Sequence, residues 1–345
     1  MRQFVALRNS FDINNSVFVV MSPCSSLTIY MYLAGIRKII LDAGWPQVDS
    51  TRIRNKNPLS WFKSWAIDFL AFACCDYVLC ESQEQLKRIQ KHFLVNPERL
   101  NVSYTGFNEL QVDLLSSHEE NPFFSTKKPY FFFRGKLNKE SGIENIIEAA
   151  RNIGGKAMVV VASSNMIKED LHESNVLLIE DFLNWNQLKY LYENAFAVLG
   201  QCSGLSRLSF SLPHKVFEAA YFKKAYISFE SDLIQKVWRN SVLTFGPKSA
   251  RSLSEIMLYA LENRVYVEEI AEDFAAIYHS SFNQNKISKK FLSYIVTVGG
   301  NDASLNFFGF VLRVLVKTSW LMFNFYDRLI QITNFITHSF RIKKS

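Results

Sequence analysis

The stretch "FFFRGKLNKESGIENIIEAARNIGG", residues 131–155, carries the pattern that decides the fold. An apolar run breaks at a glycine turn, and apolar residues then recur at helical spacing, at Ile143, Ile146, Ile147 and Ala150. Ser141 is predicted to be the N-cap of this helix, with Glu144 completing a capping box. The pair Gly154–Gly155 marks its end. The stretch therefore predicts a strand, a tight turn and a helix.

Cationic side chains flank the glycine at the end of the predicted strand. Arg134 precedes Gly135, and Lys136 follows it. The unpaired N–H groups and the dipole of a helix that begins near Ser141 and Gly142 favour a bound anion. The pattern predicts a phosphate site here. An ordinary capped strand–helix unit with solvated basic residues is the alternative.

A second informative stretch is "LPHKVFEAAYFKKAYIS", residues 212–228, which predicts a short helix leading into a strand. Pro213 is placed at the first helical position, and His214, Lys215 and Glu218 then share one face. The Glu218 carboxylate could accept hydrogen bonds from both hydroxyls of a ribose diol. Alternatively, it forms a surface ion pair with Lys215.

Strands alternate with helices along most of the chain, which predicts parallel sheets covered on both faces. The fold class expected is α/β, with two Rossmann-like, doubly wound sheets, the first shortened, and an amphipathic C-terminal helix. Ligands in such sheets bind beyond the carboxyl ends of the strands. The predicted strands are 17–21, 38–42, 77–82, 100–106, 129–134, 156–162, 175–180, 196–201, 225–229 and 242–246.

The domain boundaries follow from where this alternation stops. We predict an incomplete first domain at 1–113, a linker at 114–128 that is rich in polar and breaker residues, and a second domain at 129–300. The last segment, 301–345, is a separate tail.

Composition excludes several classes of protein. The chain has 345 residues, 48% of them hydrophobic, which excludes disorder and allows two cores. The net charge of +7 suits an anionic partner, but the basic residues are scattered and no nucleic-acid-binding motif is present, so we expect no nucleic acid. The five cysteines lack metal-ligand spacing and indicate reduced thiols of a cytoplasmic protein. The first stretch, "MRQFVALRNSFD", does not have the pattern of a signal peptide, so we expect none.

The two stretches together resemble the GT-B glycosyltransferases, in particular the retaining glycosyltransferase family 4, also called glycosyl transferases group 1. The matching patterns are "GKL…SGIENIIEA" and "LPHKVFEAA" in the second domain, with "DYVLCESQEQLKRI" and "VSYTGFNE" in the first. The resemblance covers roughly residues 17–300. It implies a nucleotide-sugar donor, linked to UDP or GDP, in the second domain and an acceptor on the first, with no further cofactor.

The resemblance also assigns roles to residues. Lys136 would contact the diphosphate and Glu218 the ribose, with Lys136, Arg134 and Glu218 as the catalytic set and the charge on the leaving diphosphate stabilised by the cations and the helix. No D-x-D motif stands in a suitable place, so we expect no metal. The implied donor-binding residues are Gly135, Lys136, Ser141, Gly142, Leu212, Pro213, His214, Lys215 and Glu218.

The chain departs from the family pattern at three points. Phe210 stands where the acid that contacts the donor sugar is usual, and Ser141 stands where a second phosphate-binding lysine is usual. The first domain also lacks a recognisable first strand and the frequent catalytic histidine. The candidates we place on the acceptor side are Asp42, Trp45 and Asp49.

The tail at 301–345 has a narrow stripe of basic and amide residues and a wide aromatic face when it is placed on a helix. This pattern predicts a helix in the interface of an anionic membrane. The alternative is a helix packed back on the first domain.

The function predicted from the sequence is a retaining, metal-independent glycosyltransferase, peripheral on the inner face of the cytoplasmic membrane. It would act on a glycan or lipid-linked acceptor in surface polysaccharide or glycolipid synthesis. Two alternatives remain open at this point. One is a non-catalytic GT-B-like subunit that binds a nucleotide or a partner protein, and the other is an enzyme that modifies nucleotide sugars, such as an epimerase.

Overall fold

The computed structural model describes residue 12 and residues 16–54, 57–115, 128–137, 141–163, 174–204, 206–246 and 249–300. These residues form two compact units. The first unit comprises the described parts of Met1–Leu79, Gln90–Asn101 and Tyr294–Ser345, and the second those of Cys80–Ile89 and Val102–Ser293. The domain ranges given above stay a prediction.

The first sheet has four strands in the order β1-β2-β3-β4. Its middle is apolar on both faces, since Ile39, Ile40 and Leu41 are fully buried. The strands are β1 (Phe18–Met21), β2 (Ile39–Asp42), β3 (Tyr77–Cys80) and β4 (Leu100–Val102). The helices between them are α1 (Ser25–Leu33), α2 (Gln47–Arg54), α3 (Pro58–Cys74) and α4 (Gln83–Phe93).

Helix α2 is an element that the sequence did not predict. Its residues are mostly polar, so they show no apolar periodicity. The helix begins where the buried carboxylate of Asp68, on α3, accepts a hydrogen bond of 2.8 Å from the N–H of Val48. A tertiary contact therefore stabilises its N-terminus in the manner of a cap.

The second sheet has six parallel strands in the order β10-β9-β8-β5-β6-β7. The strands are β5 (Tyr130–Arg134), β6 (Met158–Ala162), β7 (Val176–Ile179), β8 (Ala197–Leu199), β9 (Ala225–Phe229) and β10 (Leu243–Phe245). The helices after β4 are α5 (Glu109–Asp113), α6 (Ile143–Ile153), α7 (Trp185–Asn194), α8 (His214–Tyr221), α9 (Asp232–Trp238), α10 (Ala250–Glu262), α11 (Arg264–Ser281) and α12 (Gln284–Gly300).

The central strand β5 explains why this sheet is doubly wound. Phe132 packs into one hydrophobic layer, and Phe131 and Phe133 pack into the layer on the opposite face. All three side chains are fully buried, as expected when helices cover both faces of a parallel sheet. From β5 the chain first builds outward through β6 and β7, then returns to place β8 on the other side of β5. The sheet therefore has its topological switch point between β5 and β8.

The predicted fold class is confirmed by these two parallel sheets and their helices. The amphipathic helix predicted at 301–345 lies outside the described residues. Within the ranges that are described, no helix has the length and apolar character needed to cross a membrane.

Two predicted helix starts are each wrong by one residue. Helix α6 has no capping box: Gly142, not Ser141, is its N-cap, at φ 69°, and no side chain caps it. A Cβ at Gly142 would lie 2.4 Å from the backbone carbon of Cys202, so the close approach of that loop requires glycine. Pro213 is the N-cap of α8 rather than its first helical residue.

Candidate functional site

A cavity of about 260 Å³ lies beyond the carboxyl ends of the second sheet's strands, where α8 begins. This is the edge at which ligands bind in doubly wound sheets. The loop after β8 and the start of α8 form much of its wall. The described residues that line it are Glu81, Thr105, Gln201, Ser203, Arg207, Leu208, Ser211, Leu212, Pro213, His214 and Lys215.

The N-terminus of α8 is open toward this cavity. Pro213 has an extended backbone, at φ −62° and ψ 139°, and no side chain caps the helix. The first N–H groups of a helix have no partner within the helix, and its dipole places partial positive charge there. Since His214 and Lys215 both line the cavity, this end of α8 offers backbone N–H groups, an imidazole and an ammonium to an anion.

Lys215 is a half-buried cation of this wall. Its ammonium lies 4.2 Å from the centre of the Phe133 ring. Burial lowers the pKa of Lys215 to about 8, since a charged ammonium loses hydration there. The attraction between a negatively charged ligand and the ammonium would offset part of this lost hydration energy. The site therefore favours an anion over a neutral ligand.

Glu218, one turn further along α8, lies beneath the cavity and is only 3% exposed. Its Oε1 accepts a hydrogen bond of 2.7 Å from Arg134 Nη1 and lies 3.0 Å from His214 Nδ1. Its Oε2 accepts a hydrogen bond from the Tyr192 hydroxyl. Burial alone would raise the pKa of Glu218, but the His214 hydrogen bond and the Arg134 charge hold it at about 2.

The surface ion pair between Lys215 and Glu218, weighed above as an alternative, is therefore wrong. Glu218 is buried, and its ionic partner is Arg134 at the end of β5, 84 positions earlier in the chain. The two oxygens of the carboxylate are already held by protein groups. A ribose diol could reach Glu218 only by joining or replacing one of these partners. The partner most open to solvent is His214, whose side chain is 47% exposed.

The structure brings the two stretches identified in the sequence together at one edge. Besides the Arg134–Glu218 contact, a Cβ at Gly135 would lie 2.9 Å from Lys215 Nζ. Gly135 has φ 145°, which favours glycine. Lys136 follows it and is exposed on the turn. Leu212, Pro213, His214 and Lys215 line the cavity directly. Gly135 lies against Lys215, and Glu218 contacts His214. Arg134 is connected to the site through Glu218, and Lys136 is the next residue of the glycine turn.

Ser141 and Gly142 are placed differently from the other donor-site candidates. Both are buried, and the carbonyl of Ser141 accepts a hydrogen bond of 3.0 Å from the N–H of Cys202. Asn145, in the first turn of α6, donates a hydrogen bond of 2.9 Å to the Cys202 carbonyl. The loop after β8 thus covers the start of α6. The helix N-terminus that faces the cavity belongs to α8 instead.

The three acceptor-side candidates lie in and after β2. Asp42 ends that strand half-buried, and burial raises the pKa of its carboxyl, opposed by a hydrogen bond from the N–H of Gly44. Trp45 is half-buried in the following turn. Asp49 lies in α2 and is only 6% exposed, which leaves Asp42 and Trp45 as the more accessible of the three.

Three residues of this site were not predicted from the sequence. Arg207 and Glu81 line the cavity. Arg207 lies in the loop after the predicted strand 196–201, so a search of such loops would have found it. Glu81 falls inside the predicted strand 77–82, and only the structure, in which β3 ends at Cys80, places it after the strand. Tyr192 had no such signal. It lies on the apolar face of α7, and only the folded structure shows its hydroxyl on Glu218.

Comparison with solved structures identifies the fold. A sucrose-phosphate synthase from Thermosynechococcus elongatus has a TM-score of 0.64 at 10% identity, with 86% of this chain and 77% of that chain covered. The chain has the GT-B fold. HepE from Anabaena, solved with UDP-glucose, has a TM-score of 0.62 at 12% identity, covering 86% of this chain and 81% of its own.

A third similar structure is a UDP-forming trehalose-phosphate synthase from Burkholderia xenovorans in complex with glucose-6-phosphate. It has a TM-score of 0.66 at 10% identity and covers 86% of this chain and 76% of its own. No protein-family model matches the chain, and no curated protein sequence is significantly similar to it. At these identities the similarity shows the fold, and function has to be argued from the site.

Proposed function

We propose that the chain is a glycosyltransferase that binds a nucleoside diphosphate sugar in the cavity at the start of α8. One observation carries this proposal. The cavity combines the open N-terminus of a helix with the side chains of Arg207, His214 and Lys215, beyond the carboxyl ends of a doubly wound sheet. Such a combination suits a diphosphate, which carries negative charge on several oxygens.

The chemistry asked of the site is stabilisation of a leaving group. In the transfer, the bond between the anomeric carbon of the sugar and the diphosphate oxygen breaks, and negative charge grows on that oxygen. Donors fixed in place before the reaction lower this barrier most. The N–H groups of α8, with Lys215 and Arg207, would act on the diphosphate, and Lys136 on the neighbouring turn would add charge from the solvent side.

Arg134 and Glu218 have a positioning role in this proposal. Their ion pair ties the end of β5 to α8, and these two elements carry the glycine turn and the cavity wall. The ribose contact of Glu218 stays part of the proposal. It requires that a ribose hydroxyl takes the place of His214, the exposed partner of the carboxylate.

The finer features of the proposal come from the sequence resemblance. They are a donor linked to UDP or GDP, retention at the anomeric carbon, no requirement for a metal, and a glycan or lipid-linked acceptor in surface polysaccharide or glycolipid synthesis. HepE was solved with UDP-glucose, and the trehalose-phosphate synthase is described as UDP-forming. These descriptions support UDP as the first nucleotide to test.

The proposed location is the cytoplasm, at the inner surface of the membrane. Its support is the aromatic and basic pattern of residues 301–345, together with the net charge of +7. Sedimentation of the full chain with anionic liposomes tests it. A chain that stays in the supernatant at low salt would refute the membrane contact.

The proposal is tested by binding first and turnover second. Calorimetric titration with UDP, GDP, ADP and CMP should show one preferred nucleotide, with a dissociation constant that weakens as salt is raised. Release of labelled sugar from the matching nucleotide sugar, with and without a crude glycolipid extract, then measures turnover. A chain that binds none of these nucleotides does not have the proposed function.

A non-catalytic nucleotide-binding subunit is the second candidate. The observation that favours it is the Glu218 carboxylate, which is held on both oxygens by Arg134, His214 and Tyr192. Nucleotide binding without release or transfer of sugar, over a range of acceptor extracts, would decide for this candidate.

A further inference from the structure

The charged groups that line the cavity are of two kinds. Arg207 and Lys215 are cations, and they share one side of the cavity with the His214 imidazole and the start of α8. Among the described lining residues there is a single carboxylate, that of Glu81. A cavity meant only for a diphosphate gains nothing from this carboxylate, because like charges repel strongly where water is partly excluded.

Glu81 is held in place by hydrogen bonds of its backbone and of its carboxylate. It follows β3 directly and belongs, with Cys80–Ile89, to the second unit. Its backbone N–H donates to Gln85 Oε1, and its Oε2 accepts from the hydroxyl of Ser211. The side chain is half-buried. Its carboxylate is therefore fixed on the cavity wall rather than free to turn into solvent.

The neighbouring residue strengthens this placement. The hydroxyl of Ser82 donates a hydrogen bond to the backbone carbonyl of Phe210. Two successive residues, Glu81 and Ser82, are thus bonded to two successive residues, Phe210 and Ser211, of the loop that leads into α8. The carboxylate and the cationic helix start are set into one wall by this double connection.

The two parts of a nucleotide sugar match the two kinds of charged group in the cavity wall, the cations and the carboxylate. Its diphosphate is anionic and needs donors, whereas the hydroxyls of its sugar are donors that need acceptors. A carboxylate has two oxygens that can accept several hydrogen bonds, and hydrogen bonds to charged groups are stronger than those between neutral groups. A fixed carboxylate is therefore a sound acceptor for sugar hydroxyls and a poor neighbour for phosphate.

We propose that Glu81 accepts hydrogen bonds from hydroxyls of the transferred sugar and so makes the cavity select a nucleotide sugar over the bare nucleoside diphosphate. This inference rests on the proposed function, since it concerns the same cavity. It adds the sugar-recognising group, which the sequence analysis did not identify. Selection of this kind also lets the product nucleotide leave more easily than the substrate.

The experiment compares two ligands on three variants. Dissociation constants for the preferred nucleoside diphosphate and for its glucose conjugate are measured by calorimetry on the wild type, Glu81→Gln and Glu81→Asp. Glu81→Gln should weaken binding of the nucleotide sugar about tenfold and leave the nucleoside diphosphate unchanged or slightly tighter. Glu81→Asp keeps the charge but shortens the reach, and should also weaken only the nucleotide sugar.

Glu84→Gln is the matched control. Glu84 lies three residues further along, pairs with Lys236 at 2.6 Å, and is not one of the residues lining the cavity. Its substitution removes the same charge from the same segment and should change neither dissociation constant. Thermal unfolding of each variant shows that it is folded.

The outcomes separate the two proposals. If the wild type binds no nucleoside diphosphate or nucleotide sugar, the proposed function fails and this inference fails with it. If the wild type binds both ligands but Glu81→Gln changes their affinities equally, or changes neither, Glu81 does not recognise the sugar and only the inference is overturned. An equal gain for both ligands would mean that Glu81 acts through charge repulsion alone.

Discussion

The six-stranded sheet has a cavity at each end, and the two differ in size and in chemistry. The cavity at the amino ends of β8 and β9 has a volume of about 840 Å³, against about 260 Å³ at the carboxyl ends. The larger one is lined by Lys223 and Lys224 but also by four acids, Glu268, Glu269, Glu272 and Asp273. The described residues that line the smaller one include cations and a single carboxylate, and the start of α8 opens onto it.

The difference shows that volume does not identify a ligand site in this fold. Helices that follow parallel strands begin at the carboxyl edge, so their unpaired N–H groups and positive dipole ends collect there. The amino edge receives no such contribution from them. Its lysines are balanced by acids, as in the exposed pair of Lys223 and Glu272 at 3.2 Å. An anion is therefore expected at the smaller cavity.

The largest expected difference between the two edges concerns stability. Glu218→Gln should lower the free energy of unfolding by about 2 kcal/mol at pH 7, because it leaves the partly exposed Arg134 guanidinium without its charged partner. The matched control Glu272→Gln removes an exposed partner at the other edge and should cost little, as surface pairs do. Urea unfolding measures both.

The pH dependence of this difference follows from the pKa of Glu218, which lies at about 2. An ordinary carboxylate in the unfolded chain has a pKa of about 4.3. The stabilisation by Glu218 is therefore complete above that value and is lost as the pH falls toward 2. The gap between wild type and Glu218→Gln should shrink over this range. A gap that stays constant to pH 3 and below would show that the effect is not ionic.

The second expected difference concerns nucleotide binding. Lys215→Met should weaken binding of the preferred nucleoside diphosphate about tenfold, because it removes a half-buried cation from the cavity wall. Lys224→Met is the matched control, since Lys224 is also half-buried and lines the larger cavity. Equal losses in the two variants would remove the distinction between the edges, as would a loss in Lys224→Met alone.

The smallest expected effect is a change in the affinity of the smaller cavity for the nucleotide as the pH rises. Burial lowers the pKa of Lys215 to about 8, so the ammonium of the unliganded chain loses its charge as the pH rises from 7 to 9. Affinity for the nucleoside diphosphate should fall a few-fold over this interval in the wild type. The slope should flatten in Lys215→Met. An identical slope in both proteins would assign the effect to another group.

Much of the second sheet could be predicted from the sequence. Its six strands were each placed within two residues at either end, because buried parallel strands are short apolar runs bounded by turn residues. The turn at Gly135 was predicted from the glycine that ends the apolar run, and the helix at His214 from the preceding proline and the helical spacing. Helix α2 was missed, since its first turn depends on a hydrogen bond to Asp68, which lies 20 residues away.

The candidate site was predicted less completely. Leu212, Pro213, His214 and Lys215, which the resemblance implied as donor-binding residues, do line the cavity. Ser141 was predicted as a cap, but the loop carrying Cys202 approaches too closely for anything except glycine at the helix start. No local pattern shows such an approach between residues 60 positions apart.

The sequence by itself determined the alternation of strands and helices, the glycine turn and the acid-bearing helix, because these depend on periodicity and on residues near one another in the chain. Only the tertiary structure decided what each charge faces. It buried Glu218 against Arg134 and Tyr192, and it set Glu81 against Ser211, 130 positions away. The energy of a charged group depends on burial and on its neighbours in space, and neither can be read from the order of residues.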